Sequence, residues 1–154
     1  MAEVEERPRP EGRVLALDFG KKRIGLAVSD GLGLTAQGLE TLHRTRIRDD
    51  LEALSRVVRD YEVSLILVGM PLHMSGAESR QSEYTRGFSE RLEQRTGVPV
   101  RYWDERWTSV QAGRVLRESG VGREKRAAAI DRLSAVILLE SYLDSVRPNP
   151  EPLE

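Results

Sequence analysis

The chain has no cysteine. Disulfides, thiolate metal centres and a cysteine nucleophile are therefore excluded. It has two histidines, His43 and His73, and both read as surface or loop residues rather than ligands. No apolar run approaches the ~20 residues of a membrane span. The N-terminus is rich in Glu and Pro and lacks the apolar stretch of a signal peptide. These absences lead us to expect a cytoplasmic protein. A dominant charge sign is missing too: 24 Lys and Arg stand against 25 Asp and Glu. Both ends are acidic, so the middle of the chain is mildly basic. From Arg101 to Arg132 eight cations face five acids. That is far from the strongly basic footprint of a simple DNA-binding module.

What is present fits one domain. A chain of 154 residues can bury a real core but is short for two lobes. Residues 1–12 and 147–154 read as loose tails around a single domain at 13–146. Arg13 to Asp18 is a near-continuous apolar run, as in a strand buried on both faces. Arg23 to Ser29 reads as a second strand. Ile24, Leu26 and Val28 share one face, and the small Gly25, Ala27 and Ser29 share the other, where another element can approach closely. The short link between them favours an antiparallel hairpin. A third strand is expected around Gln37 to Leu42.

Ile47, Leu51, Leu54, Val57 and Val58 mark a helix near 46–60. Ser64 to Gly69 is a buried strand. Met70 to Ser79 reads as a loop, and a polar helix then runs to about Thr96, with Tyr84, Phe88 and Leu92 as its sparse apolar positions and Gly97 as its stop. Val98 to Trp103 is the fifth strand. Thr108 caps a helix to about Ser119, and Gly120 to Arg126 reads as a basic loop. The last helix is expected over 127–145, with Ile130, Leu133, Ile137 and Leu138 inward. A three-strand meander followed by β-α units predicts an α/β fold, a mixed sheet with helices on its faces.

Acidic residues sit where such a fold gathers its chemistry. Asp18 ends the first strand, and Asp104 and Glu105 end the fifth. Asp131 lies in the first turns of the last helix. Sites in open α/β sheets form beyond the carboxyl ends of the strands. A carboxylate cage there suits hard Mg²⁺ or Mn²⁺, one ion or two, and phosphodiester hydrolysis. Each acid also has a plainer explanation. Asp18 can cap a turn, Asp104 or Glu105 can cap a helix, and Asp131 can pair with an arginine. Lys21, Lys22, Arg23, Arg106, Arg123, Lys125 and Arg126 flank the acids in sequence and are candidate phosphate contacts or solvated cations. Tyr102, Trp103 and Trp107 can stack bases or fill the core.

These residues lie in four ordered motifs. Leu15-Ala16-Leu17-Asp18-Phe19-Gly20 with Lys22 to Asp30 is the first. Val68-Gly69-Met70-Pro71-Leu72 with Met74-Ser75-Gly76 is the second. Asp104-Glu105-Arg106-Trp107-Thr108 is the third, and Ile130-Asp131 with Ser134 to Leu139 the fourth. Together they resemble the YqgF or RuvX family of Holliday junction resolvases and pre-16S rRNA nucleases, over roughly Arg13 to Val146. The resemblance implies a ribonuclease H-like fold with a five-stranded mixed sheet of order 3-2-1-4-5, flanked by helices on both faces. It also implies an acidic triad of Asp18, Glu105 and Asp131, which makes Asp104 a supporting acid. His73, Ser75, Trp107 and Ser134 depart from the usual family residues, but no triad acid is lost.

The expected function is a metal-dependent nuclease acting on RNA or DNA, as a monomer or homodimer. Maturation of pre-16S rRNA is the leading role and junction resolution the alternative. A non-catalytic nucleic-acid-binding module would not need all three acids. The Asp18-Phe19-Gly20 turn also resembles a phosphate loop of the actin and sugar-kinase class, but that class needs two such lobes.

Overall fold

The structure, a computed structural model, describes residues 12–71, 79–104 and 123–146, with side chains at 123–126 and 128 excepted. The tail expected at 1–12 lies outside the described residues up to position 11, and the tail expected at 147–154 and the helix expected at 108–119 lie outside them entirely.

Strand β1 (Arg13–Phe19) turns back into β2 (Arg23–Ser29) as the expected antiparallel hairpin, with Asp18 opposite Gly25. β3 (Ala36–Gly38) and β4 (Leu42–His43) follow, both antiparallel to β2. The single strand expected at 37–42 is thus split in two. Ala27 pairs with Gly38 and Ile24 with Leu42. Gly25 and Leu26 therefore face Leu39, Glu40 and Thr41, so one extra residue bulges out. Helix α1 (Ile47–Asp60) leads to β5 (Val63–Met70), which runs parallel to β1. Helix α2 (Arg80–Thr96) leads to β6 (Val100–Asp104), parallel to β5. Helix α3 (Arg123–Val146) closes the fold. The sheet order is β3-β2-β1-β5-β6, with β4 off this path on β2. That is the order 3-2-1-4-5 implied by the resemblance, plus one short extra strand.

The two faces of the sheet differ in kind. Leu15, Leu17, Phe19, Ile24, Leu26, Ile66 and Val68 pack against Leu51, Leu54 and Val58 of α1 and Phe88 and Leu92 of α2. The buried face of α2 is otherwise hydroxylic, which is why its apolar pattern is sparse. Ser89 donates to the Thr85 carbonyl at 2.7 Å and Thr85 to the Gln81 carbonyl at 2.8 Å. Ser79 and Ser82 form a reciprocal capping box at the helix start, and Gly97 ends it in the left-handed conformation. Tyr84 stays 41% exposed, not inward as its spacing suggests.

On the opposite face Val14, Ala16, Ala27 and Leu67 meet Ala135, Leu138, Leu139, Tyr142 and Leu143 of α3. The small residues of β2 let this helix in. A Cβ on Gly25 would collide with the Asp131 carbonyl oxygen, and one on Gly38 would lie 2.7 Å from Arg132 Cγ. Two expectations for this helix need correction. It begins at Arg123 rather than near 127, so Arg123, Lys125 and Arg126 are helical rather than in a loop. Nothing between Gly122 and Ala129 breaks a helix, and Arg, Glu, Lys and Ala all favour one. Its phase also differs: Leu138 is buried, but Ile130, Leu133 and Ile137 are only half-buried. The helix is apolar on several sides, so periodicity alone points to the wrong stripe.

Replacing Gly25 by Ala should destabilise the fold by about 3 kcal/mol, the upper end of overpacking costs, because the obstacle is helix backbone. Among the described residues, Gly87 in α2 has nothing within 4 Å of an added Cβ. Gly87→Ala should instead stabilise by about 0.5–1 kcal/mol. Urea denaturation of both variants checks the contrast.

Candidate active site

Two acids with buried side chains lie on described elements, and they differ in how their charge is met. Asp50 is 3% exposed. Its Oδ1 accepts from the Thr45 amide at 3.1 Å and the Thr45 hydroxyl at 3.3 Å, beside the start of α1. That acid is structural. Asp18 is 8% exposed, yet among the described residues its carboxylate has no ion-pair partner and no hydrogen-bond donor. A buried carboxylate without compensation is expensive, so Asp18 calls for an external partner.

Strand alternation sets its direction. Leu17 and Phe19 belong to the α1–α2 face, while Ala16 belongs to the α3 face. Asp18 therefore projects towards α3. Its cross-strand neighbour on that face is Gly25, where the α3 backbone touches down at Asp131. On its other side the register continues from Leu17 opposite Val68, which brings Gly69 alongside. The Asp18 carboxylate thus stands between two positions without side chains.

The same touchdown delivers Asp131. Its Oδ1 lies 3.8 Å from where a Gly20 Cβ would be, beside the β1–β2 turn. Its Oδ2 accepts from Arg23 Nε at 2.9 Å. Burial pushes the Asp131 carboxyl above its ordinary value of 3.8; Arg23 pulls it back, and the neighbouring Asp18 charge adds to the rise. The fold therefore brings Asp18 and Asp131 together, as the sequence led us to expect, and adds Arg23 as the partner of Asp131.

The turn before Arg23 is fixed from outside. The Gly20 amide donates to the Arg23 carbonyl at 2.8 Å. Arg44 Nη1 donates to the Gly20 carbonyl at 2.6 Å, and its guanidinium lies 4.9 Å from the Tyr84 ring centroid. Gln81 Nε2 reaches the Phe19 carbonyl at 3.4 Å. Lys21 and Lys22 are exposed on this braced turn. Arg44 and Gln81 lie outside every motif singled out above, and no spacing rule points to them. His43 is exposed on β4, opposite Arg23.

Asp104 is in a different place. Val100 and Tyr102 pack on the α1–α2 face and Trp103 on the α3 face. Alternation therefore directs Asp104 away from Asp18 and Asp131. Trp103 is a packing residue, edge-on to Tyr142 with centroids 5.5 Å apart, and its Nε1 donates to Ser141 at 3.3 Å. Tyr102 lies under the Arg86 guanidinium at 4.8 Å. Glu105, Arg106, Trp107 and His73 lie outside the described residues, as do the side chains of Arg123, Lys125 and Arg126. Among the described residues no group of three His, Cys, Asp or Glu converges as a metal site.

The donor set fits a hard divalent cation. Two carboxylates share a part-buried site, one without a counter-charge among the described residues and the other with an oxygen beside the glycine turn. Oxygen donors of this kind suit Mg²⁺ or Mn²⁺.

The fold is similar to the ribonuclease H-like fold of RuvC. *Thermus thermophilus* RuvC, solved in complex with a Holliday junction substrate, superposes with a TM-score of 0.54 at 16% identity, covering 87% of this chain and 95% of RuvC. The family model RuvX, described as Holliday junction resolvase, matches residues 12–145. The chain belongs to the RuvX family. It is 53% identical over 141 residues to a *Koribacter versatilis* protein called "Putative pre-16S rRNA nuclease", covering 92% of each chain. A *Myxococcus xanthus* protein of the same description is 46% identical over 136 residues, covering 88% of this chain and 90% of that one.

The Asp131 shift gives a titration prediction. With its folded-state value raised, ionised Asp131 costs stability above that value, and the cost is relieved as pH falls towards 3.8. In Asp18→Asn the like charge is gone, so the Asp131 value should fall. Carboxyl ¹³C NMR titration of both proteins without metal checks the direction.

Proposed function

We propose that this protein is a divalent-metal-dependent nuclease that hydrolyses phosphodiester bonds, with ribosomal RNA precursors as its substrate class. The observation that carries this reading is the buried Asp18, uncompensated among the described residues, beside Asp131. The names of the RuvX relatives support the substrate class. Glu105 is the third acid of the proposal. Trp103 lies on the α3 face and alternation directs Asp104 to the other, so the third acid of the motif resemblance is assigned to Glu105. Asp104 then plays no direct part.

One or two Mg²⁺ or Mn²⁺ ions held by Asp18, Asp131 and Glu105 would supply an activated water and neutralise charge on the phosphate. The chain's own residues do the rest. Arg44 and Gln81 hold the β1–β2 turn, so Lys21 and Lys22 present their charges beside Asp18. Both lysines bind backbone phosphates flanking the scissile bond. Arg106, Arg123, Lys125 and Arg126 extend this contact along the strand. The protein works in the cytoplasm and needs one copy per RNA end.

A second reading is four-way junction resolution, favoured by the family's description and by the RuvC complex. It requires two sites related by two-fold symmetry, and hence a homodimer.

Cleavage of matched pre-16S RNA, single-stranded DNA and four-way junctions separates the readings. Activity should vanish in excess chelator and return with Mg²⁺ or Mn²⁺. Asp18→Asn, Glu105→Gln and Asp131→Asn should each lose roughly 100-fold or more, beyond the cost of losing a residue behind a metal ligand. Double variants should lose little more, because each change breaks the same cage. Asp104→Asn should keep most activity. Equal loss at 104 and 105 would sink the assignment of the third acid. Replacing Lys21 and Lys22 together by Ala should make the log–log salt slope of RNA binding shallower by about 1.4, two contacts at ~0.7 each. An unchanged slope would move the groove elsewhere.

A further inference from the structure

Arg23 lies among the cations next to the first motif, yet it is placed unlike its neighbours. Lys21 and Lys22 are exposed, whereas the Arg23 and Asp131 side chains are 24% and 17% exposed. Arg23 Nε is engaged with Asp131 Oδ2 at 2.9 Å. Among the described residues this is the one ion pair made by either site acid. Arg44, the next cation along, is committed to the Gly20 carbonyl and the Tyr84 ring. Two acids and one inward arginine therefore share the space between the β1–β2 turn and α3. The α3 backbone rests on Gly25, so the acids cannot move apart without lifting the helix.

We propose that Arg23 is a positioning residue, a built-in counter-cation that keeps Asp131 seated against Asp18 when no divalent ion is bound and lowers the site's affinity for that ion. The inference rests on the metal-dependent reading above. Several points of physical chemistry support it. A charge-assisted N–H···O⁻ bond in a part-buried site is among the stronger hydrogen bonds. Its planar donor fixes the carboxylate in orientation, which a lysine ammonium does not. Among the described residues only Oδ2 is taken, which leaves Oδ1 beside the glycine turn. The arginine offsets the repulsion between the acids, which itself raises the Asp131 carboxyl. Its positive charge equally opposes a second cation in the same space.

The test uses the full-length protein and Mn²⁺ alone. Arg23→Gln should melt lower than wild type without metal and gain more thermal stability from saturating Mn²⁺. Its Mn²⁺ affinity by isothermal titration should be tighter on the order of tenfold, the effect of one unit charge a few ångströms away at a partly exposed site. Arg23→Lys, which keeps the charge, should bind Mn²⁺ nearly as wild type does. The salt slope of RNA binding should not change in Arg23→Gln. Equal or weaker Mn²⁺ affinity in Arg23→Gln, or a flattened salt slope, overturns the proposal and makes Arg23 a phosphate contact. A wild-type measurement guards against a variant that does not fold. The Arg23 Nε–H resonance should exchange slowly without metal and shift at saturating Mg²⁺, and an unmoved resonance overturns the proposal. If wild type binds no Mn²⁺, or Asp18→Asn binds it equally well, the metal reading itself fails. Tight wild-type binding that Arg23→Gln leaves unchanged sinks only the role of Arg23.

Discussion

The contact on which the site depends is backbone against backbone: α3 at Asp131 resting on Gly25 of β2. A helix normally packs on a sheet through side chains, with its axis about 10 Å away. Here the absence of a Cβ removes that layer at one point. The small residues of β2 and the Cβ-free Gly38 of β3 continue the close approach along the helix. The apolar part of α3, from Ala135 to Leu143, then seals against Val14, Ala16, Ala27 and Leu67. The apolar contact holds the helix down, and the glycine contact decides how close the turn at Asp131 comes. Asp131 reaches the end of β1 only because of both.

That geometry creates an electrostatic conflict. The fold places two carboxylates in one part-buried space, and burial alone raises the Asp131 carboxyl. Elsewhere the chain shows how a buried acid is ordinarily accommodated, since Asp50 is met by the amide and hydroxyl of Thr45. Among the described residues nothing comparable meets Asp18. Local rules of stability are broken at this point, and such exceptions concentrate at functional sites. Arg23 reduces the conflict without removing it.

Much of this was legible in the residues, for identifiable reasons. Strands β1, β2 and β5 are apolar runs of strand length between turn residues, and the two-residue period separates Gly25, Ala27 and Ser29 from Ile24, Leu26 and Val28. That pattern already implied a close neighbour on the small face. Asp18 and Asp131 stood out as acids at a strand end and a helix start. The inward stripe of α3 was misread because apolar residues occur on several of its sides, and only the sheet's small residues choose among them. The bulge at 39–41 was not visible, since register depends on pairing with β2 and not on local sequence. Arg44 and Gln81 act on backbone carbonyls far away in sequence, and such contacts leave no periodic trace. The ion pair of Arg23 was hidden for a similar reason: three adjacent cations look alike until the fold turns one of them inward.

The position of the site follows from strand direction. β1, β5 and β6 are parallel, so their carboxyl ends, at Phe19, Met70 and Asp104, share one edge of the sheet. β2 runs the other way and begins at that edge, which brings the cations of the β1–β2 turn beside the acid that ends β1. A hairpin is the shortest chain path that can put a carboxylate and lysines at one place on opposite sides of a tight turn. The acids and cations of the site are therefore separated by construction: the acids point inward beneath α3, and Lys21 and Lys22 point out from a turn that Arg44 and Gln81 hold still. An anionic polymer approaching this edge meets the lysines before it meets the carboxylates. Under the proposed function, this ordering would let a site with buried negative charge receive a negatively charged substrate.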